Sequence, residues 1–248
     1  MDISKKNNRT FIPGIFTTFN LFFGFLAIVK ISEGNIVTGC WLIVFAGVFD
    51  AFDGQLARFT NSSSTFGIEF DSLADVISFG AAPAFLLHEI YFKSFGILGI
   101  IISFSPLIFG AIRLARFNIN MDGIKKSIFV GLPIPIAAIS FATFVIFNYH
   151  FWGNIHLTRI LGPQIVIVCL LMISYVEYDS FPKLTFKQGR DNSIQLILFL
   201  LIITTLTLYP HETFYPISLI YITWGVIRSL IGTRLGKREK NTMQTDIT

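Results

Sequence analysis

Apolar stretches long enough to cross a bilayer follow one another along this chain with only short polar interruptions. They cover about 13–32, 36–58, 66–92, 95–117, 131–151, 160–178, 193–209 and 214–232, each close to the roughly 20 residues that a spanning helix needs. Small and polar clusters separate them, such as Ser32-Glu33-Gly34-Asn35 and the run from Thr60 to Thr65. The pattern predicts eight helices in an all-α, polytopic membrane bundle. From Lys237 to Thr248 the hydrophobic pattern is lost, and that tail is expected to be unstructured.

Composition agrees with a membrane bundle and excludes a soluble domain of any size. Hydrophobic residues make up 53% of the chain against 14% charged, the mean hydropathy is +0.67, and the 28 phenylalanines are expected to be mostly lipid-facing bulk. With a cytoplasmic N-terminus, the eight spans leave only Lys30, Lys93 and Arg159 of the 19 basic residues outside, as the positive-inside rule requires. Both termini then lie in the cytoplasm, and the +4 net charge reflects topology and anionic lipid headgroups, so no nucleic-acid partner is needed to explain it. The first apolar run resembles the core of a signal peptide, but Lys30, Ser32 and Glu33 offer no small-residue cleavage pattern, so a retained helix is expected. Cys40 and Cys169 lack ligand spacing and are expected in the core. His88, His150, His156 and His211 all map to the outer ends of the spans.

Four aspartates break the apolar pattern. Asp50, Asp53, Asp71 and Asp75 lie inside the second and third spans, where unpaired carboxylates would together cost about 10 to 14 kcal/mol. Asp50 and Asp53 are three apart, and Asp71 and Asp75 four apart, so each pair occupies one face of its helix. The polar segment from Phe59 to Phe66 predicts a hairpin in which Asp53 falls level with Asp71 and Asp50 with Asp75. Convergent carboxylates without Cys or His point to a hard divalent cation, Mg2+, Mn2+ or Ca2+. With the histidines on the far side, a general base in such a site has to be a carboxylate.

The full pattern D-x2-D-G-x2-A-R-x8-G-x3-D-x3-D, from Asp50 through Asp53, Gly54, Ala57, Arg58, Gly67 and Asp71 to Asp75, resembles the signature of the CDP-alcohol phosphotransferases. The resemblance implies a six-helix core at 1–178, two additional helices at 179–232 and a basic cytoplasmic tail at 233–248. It also implies a transferase that displaces CMP from a CDP-linked lipid or alcohol, with two divalent cations, Mg2+ or Mn2+, held by Asp50, Asp53, Asp71 and Asp75. Asp75 would then be the base. Gly54, Ala57 and Gly67 would leave room for the nucleotide, although small-residue helix packing explains the first two as well. Arg58 would meet a phosphate, or snorkel to the membrane surface.

Outside the motif, four segments look like the integral-membrane phosphatidylserine synthases: T-T-F-N-L-F-F-G from Thr17, E-F-D-S-L-A-D-V-I-S-F-G-A-A-P from Glu69, A-I-R-L-A-R-F-N ending at Asn118, and G-L-P-I-P-I-A-A from Gly131. That likeness implies CDP-diacylglycerol and L-serine as substrates, a cell inner-membrane location with a cytoplasmic site, and a homodimer. Arg113 and Arg116 are then candidates to grip the serine carboxylate or a lipid phosphate, or simply to anchor a cytoplasmic helix end. Asn20 and Asn118 are candidates for contact with nucleotide or serine, or for helix caps. Ser78 either lines the acceptor site or bonds its own helix. Alternatives are a sibling that makes phosphatidylinositol phosphate, phosphatidylglycerol phosphate or archaetidylserine and, more remotely, a divalent-cation transporter.

Overall fold

The computed structural model describes residues 4–60, 65–119, 128–179 and 204–245. Helices α1 (Ser4–Ser32) and α2 (Ile36–Thr60) form an antiparallel hairpin, and α3 (Thr65–Asp75) leads into a π-helical turn (Val76–Ala81) and α4 (Ala82–Ile90). A 3-10 turn (Phe92–Phe95) joins α4 to α5 (Gly96–Ile119); α6 (Ile134–Trp152), α7 (Thr158–Ile173) and α8 (Pro210–Thr245) complete the bundle. Among the described residues, six stretches are long and apolar enough to span a membrane: Gly14–Ser32, Ile36–Gln55, Phe66–Ile90, Phe92–Ile119, Ile134–Trp152 and Pro210–Ile231. This is a multi-pass, all-α membrane bundle.

Helix α6 is its axis. Its sequence is apolar all round, as a helix enclosed by other helices should be, and Phe141, Phe144, Val145 and Ile146 are fully buried against α2, α8 and the π-helical turn. The outer helices instead turn Phe19, Phe22, Phe25, Phe45 and Phe52 outward, as expected of lipid-facing bulk. Phe23 and Phe49 interlock α1 with α2, their rings 5.1 Å apart. Cys40 and Cys169 are buried and unpaired by disulfide.

Three details differ from the sequence expectation. The sixth span stops at Ile173 and does not reach residue 178. Ser174 ends it by donating its hydroxyl to the Leu171 carbonyl and receiving the Val176 amide, while the Leu132 amide takes the Leu171 carbonyl from the other side. The chain after it forms a short strand, β2 (Glu177–Asp179), antiparallel to β1 (Ile128–Val130), with Phe129 opposite Tyr178. Gly131 makes the return possible: its φ of +80° suits glycine, and a Cβ there would strike the Met172 carbonyl. The second difference is at the C-terminus, where the backbone of α8 stays helical through Thr245. A Lys-, Arg- and Glu-rich run can extend a helix that the membrane segment has already nucleated. Third, α1 begins at Ser4, ahead of the apolar run. The expected span at 193–209 falls largely outside the described residues.

Pro83 lies in the third span. Proline clashes with the carbonyl four residues back, here Phe79, and the π-helical turn over Val76–Ala81 widens the backbone at that place. Pro106 is carried within an unbroken α5.

Candidate active site

The aspartate end of the α2–α3 hairpin is where the bundle is least apolar. Asp50, on α2, and Asp71 and Asp75, on α3, each offer a carboxylate oxygen, and these oxygens lie within 4.8 Å of one another. Asp53, one turn beyond Asp50, stands beside this triad and accepts a hydrogen bond from the Thr17 hydroxyl of α1. All four aspartates thus gather at the α2–α3 interface, with Asp53 held by a different partner.

Helix α1 orients the pairs. Thr17 and Asn20 are three residues apart and share a face. Thr17 bonds Asp53, and the Asn20 Nδ2 donates to Asp75 Oδ1 at 3.1 Å. Asn20 is fully buried within α1, which rules out its role as a cap. Ser78 does not bond its own helix; its Oγ donates across to the Asn20 carbonyl at 2.9 Å. Gly24 permits that approach, since a Cβ there would lie 2.6 Å from the Ser78 Cα.

Helix α5 supplies the positive charge. Arg113 is 7% exposed, and its guanidinium acts electrostatically on both Asp50 and Asp75. Tyr221 of α8 lies near enough to interact with it electrostatically. Arg116 turns away: its Nη1 donates to the Ile173 carbonyl at 2.6 Å, with the guanidinium over the Tyr175 ring. Asn118 pairs with Ser72 of α3, donating Nδ2 to Oγ at 3.0 Å, so it ties α5 to the hairpin. Gly54 is exposed with open space where a side chain would begin, Gly67 is half-buried, and Glu69 is exposed and off the acidic face. The side chains of Ala57 and Arg58 lie outside the described residues, as does the hairpin turn at 61–64.

Electrostatics and hydrogen-bond accounting mark the same place. Among the described side chains, Asn20 Oδ1, Asp53 Oδ1, Asp71 Oδ1 and Arg113 Nε are the buried polar atoms without a hydrogen-bond partner, and all four belong to this cluster. Buried polar groups left without partners are costly, and in native proteins they mark places where an ion or ligand is bound. Four carboxylates gather here, and the Arg113 guanidinium acts on two of them, Asp50 and Asp75. An excess of negative charge within membrane-spanning helices calls for cations. Oxygens bound to one ion at 2.0–2.6 Å stand no more than about 5 Å apart, a limit that the Asp50, Asp71 and Asp75 oxygens satisfy. The residues therefore fit a hard divalent cation.

The histidines sit at the opposite end. His211 lies edge-on to Trp41, nine residues and about 13 Å of helix from Asp50, and His150 stacks on His211. His156 contacts Trp152, and His88 approaches Ser103.

A family model described as CDP-alcohol phosphatidyltransferase matches residues 10–176. The chain belongs to this family. The matched span holds all four aspartates, Thr17, Asn20 and Arg113, and it ends before α8. Among curated relatives, the chain is 38% identical over 221 residues to the CDP-diacylglycerol–serine O-phosphatidyltransferase of Helicobacter pylori, covering 88% of this chain and 90% of that protein. It is 34% identical over 218 residues to the protein of the same name from Methanocaldococcus jannaschii, covering 87% and 92%. The archaetidylserine synthase of Methanothermobacter thermautotrophicus is 34% identical over 180 residues, covering 72% and 73%.

Sequence reasoning centred on α2 and α3 passed over Thr17, Ser72 and Tyr221. Thr17 carried a signal: it lies one turn before Asn20 in a segment already set apart by resemblance. The other two become visible only through the packing of separate helices.

Proposed function

We propose that the protein transfers the phosphatidyl group of CDP-diacylglycerol to the hydroxyl of L-serine and releases CMP. The observation that carries this reading is the convergence of Asp50, Asp71 and Asp75 beside buried Arg113. The names of the relatives supply the substrates, and serine is common to the phosphatidyl and the archaetidyl names.

In this reading Asp75 takes the proton of the serine hydroxyl as the serine oxygen bonds to the phosphatidyl phosphorus. The bond from that phosphorus to the bridging oxygen breaks, and its electron pair leaves with CMP. Asp50, Asp53, Asp71 and Asp75 would hold two divalent cations, Mg2+ or Mn2+, which when bound stabilise charge on the phosphate oxygens. Thr17 and Asn20 hold Asp53 and Asp75 in orientation. Arg113 meets the serine carboxylate or a phosphate. Gly54, Ala57, Arg58 and Gly67 border the nucleotide, and open space at Gly54 supports that assignment. Ser78 and Asn118 act through Asn20 and Ser72, the partners they bond, and Arg116 braces the end of α7.

The same proposal takes the catalytic core as 1–178, with the helices beyond it an addition. It places the acidic end and both termini in the cytoplasm of an inner membrane, and it pairs two copies as a dimer. Purified protein given CDP-diacylglycerol, serine and Mn2+ should release CMP, stop with a chelator, and recover on addition of Mg2+ or Mn2+. Serine-independent turnover, or none, would overturn the assignment.

A further inference from the structure

Of the four unpartnered buried atoms in the site, two are carboxylate oxygens suited to a cation and one is a guanidinium nitrogen suited to an anion. The fourth, Asn20 Oδ1, is a neutral acceptor. Its amide is not free to turn, because the Asn20 Nδ2 donates to Asp75 Oδ1, and only a donor nitrogen can serve a carboxylate there. The oxygen of the same planar amide is thereby left to accept a hydrogen bond, with no donor from the protein supplied to it. The backbone is fixed as well, by the Ser78 hydroxyl on the Asn20 carbonyl and by the close approach of α1 at Gly24.

We propose that Asn20 is a specificity residue for the acceptor: its amide nitrogen positions Asp75, while its oxygen receives the amino group of the amino acid whose hydroxyl reacts. This assignment rests on the serine-transferase reading above and moves Asn20 from the nucleotide side of the site to the acceptor side. An α-amino acid bearing a β-hydroxyl presents three groups, and the cluster presents three counterparts. Asp75 faces the hydroxyl, Asn20 Oδ1 the ammonium and Arg113 Nε the carboxylate. The hydroxyl and ammonium stand on adjacent carbons, and their counterparts, Asp75 and the Asn20 amide, are joined by a hydrogen bond. A simple alcohol would leave Asn20 Oδ1 buried and unpaired, the condition under which a site rejects an analogue most strongly.

The test compares L-serine with 3-hydroxypropanoate, which keeps hydroxyl and carboxylate but lacks the ammonium. Each is measured as a substrate or, where turnover is too slow, as a competitive inhibitor. Asn20→Ala should raise the KM for serine by about 10- to 100-fold, the loss expected for a hydrogen bond to a charged group, and shift the constant for 3-hydroxypropanoate far less. The KM for CDP-diacylglycerol, taken on the same preparations, should stay near that of the unaltered protein and reports that the site is folded. If both acceptors weaken equally, or the serine KM holds while only kcat falls, Asn20 acts on Asp75 alone and the proposal is overturned. If the unaltered protein ignores serine but accepts another alcohol, the serine-transferase reading falls, and this assignment with it.

Discussion

Single side chains at the acidic end divide the work between charge and orientation. Asp75 is buried, tied to α1 by one hydrogen bond, and close to Arg113. Asp75→Asn removes the proton acceptor while keeping the shape, so CMP release should fall by at least about 100-fold with the helical circular-dichroism signal unchanged. Thr17→Val removes the hydroxyl from Asp53 without changing volume much. The expected result is weaker cation binding, seen as a higher Mn2+ concentration for half-maximal activity, with the serine KM little altered. The four aspartates and their faces were legible because their spacing in an otherwise apolar run left few arrangements open. Arg113 and Arg116 were not separable that way. Both lie at one helix end three residues apart, and only the carbonyl of Ile173 and the ring of Tyr175 show which one leaves the site.

Among elements, α1 is a scaffold for the α2–α3 hairpin, and its contact with the π-helical turn is the joint. Gly24→Val should force α1 away from Ser78, release Asn20 from Asp75 and cost about 1–3 kcal/mol of overpacking strain. Thermal unfolding in detergent and CMP release measured on the same sample should both fall. Gly131→Ala tests the turn after β1, where a positive φ alone costs about 1–2 kcal/mol for a residue with a side chain. The first five spans were readable within a few residues, because apolar length and polar breaks define a membrane helix directly. The strand pair was not readable, since three residues on each side carry little pattern and their pairing depends on where α7 stops. The helical end of α8 was missed for a related reason: a charged run shows no periodicity, yet it continues a helix begun in the apolar segment.

For the whole molecule, the arrangement has two unlike ends. One gathers the aspartates, the start of α1 and the C-terminal ends of α2 and α5. The other gathers Trp41, His150, His211 and Glu212. A membrane-impermeant thiol reagent should distinguish them in cells. Glu69→Cys, exposed at the acidic end, should resist labelling from outside, whereas His156→Cys should react, and native Cys40 and Cys169 are buried against interference. The reverse pattern would place the site on the wrong side for a cytoplasmic amino acid. What the site does with that amino acid is the central claim, and an acceptor panel tests it most directly. CMP release from CDP-diacylglycerol by the purified protein is followed with serine, glycerol phosphate, inositol phosphate or no acceptor, in the presence of Mn2+. The account predicts that serine alone accelerates release and that the product carries serine; acceleration by another alcohol in its place, or release independent of any acceptor, would contradict it.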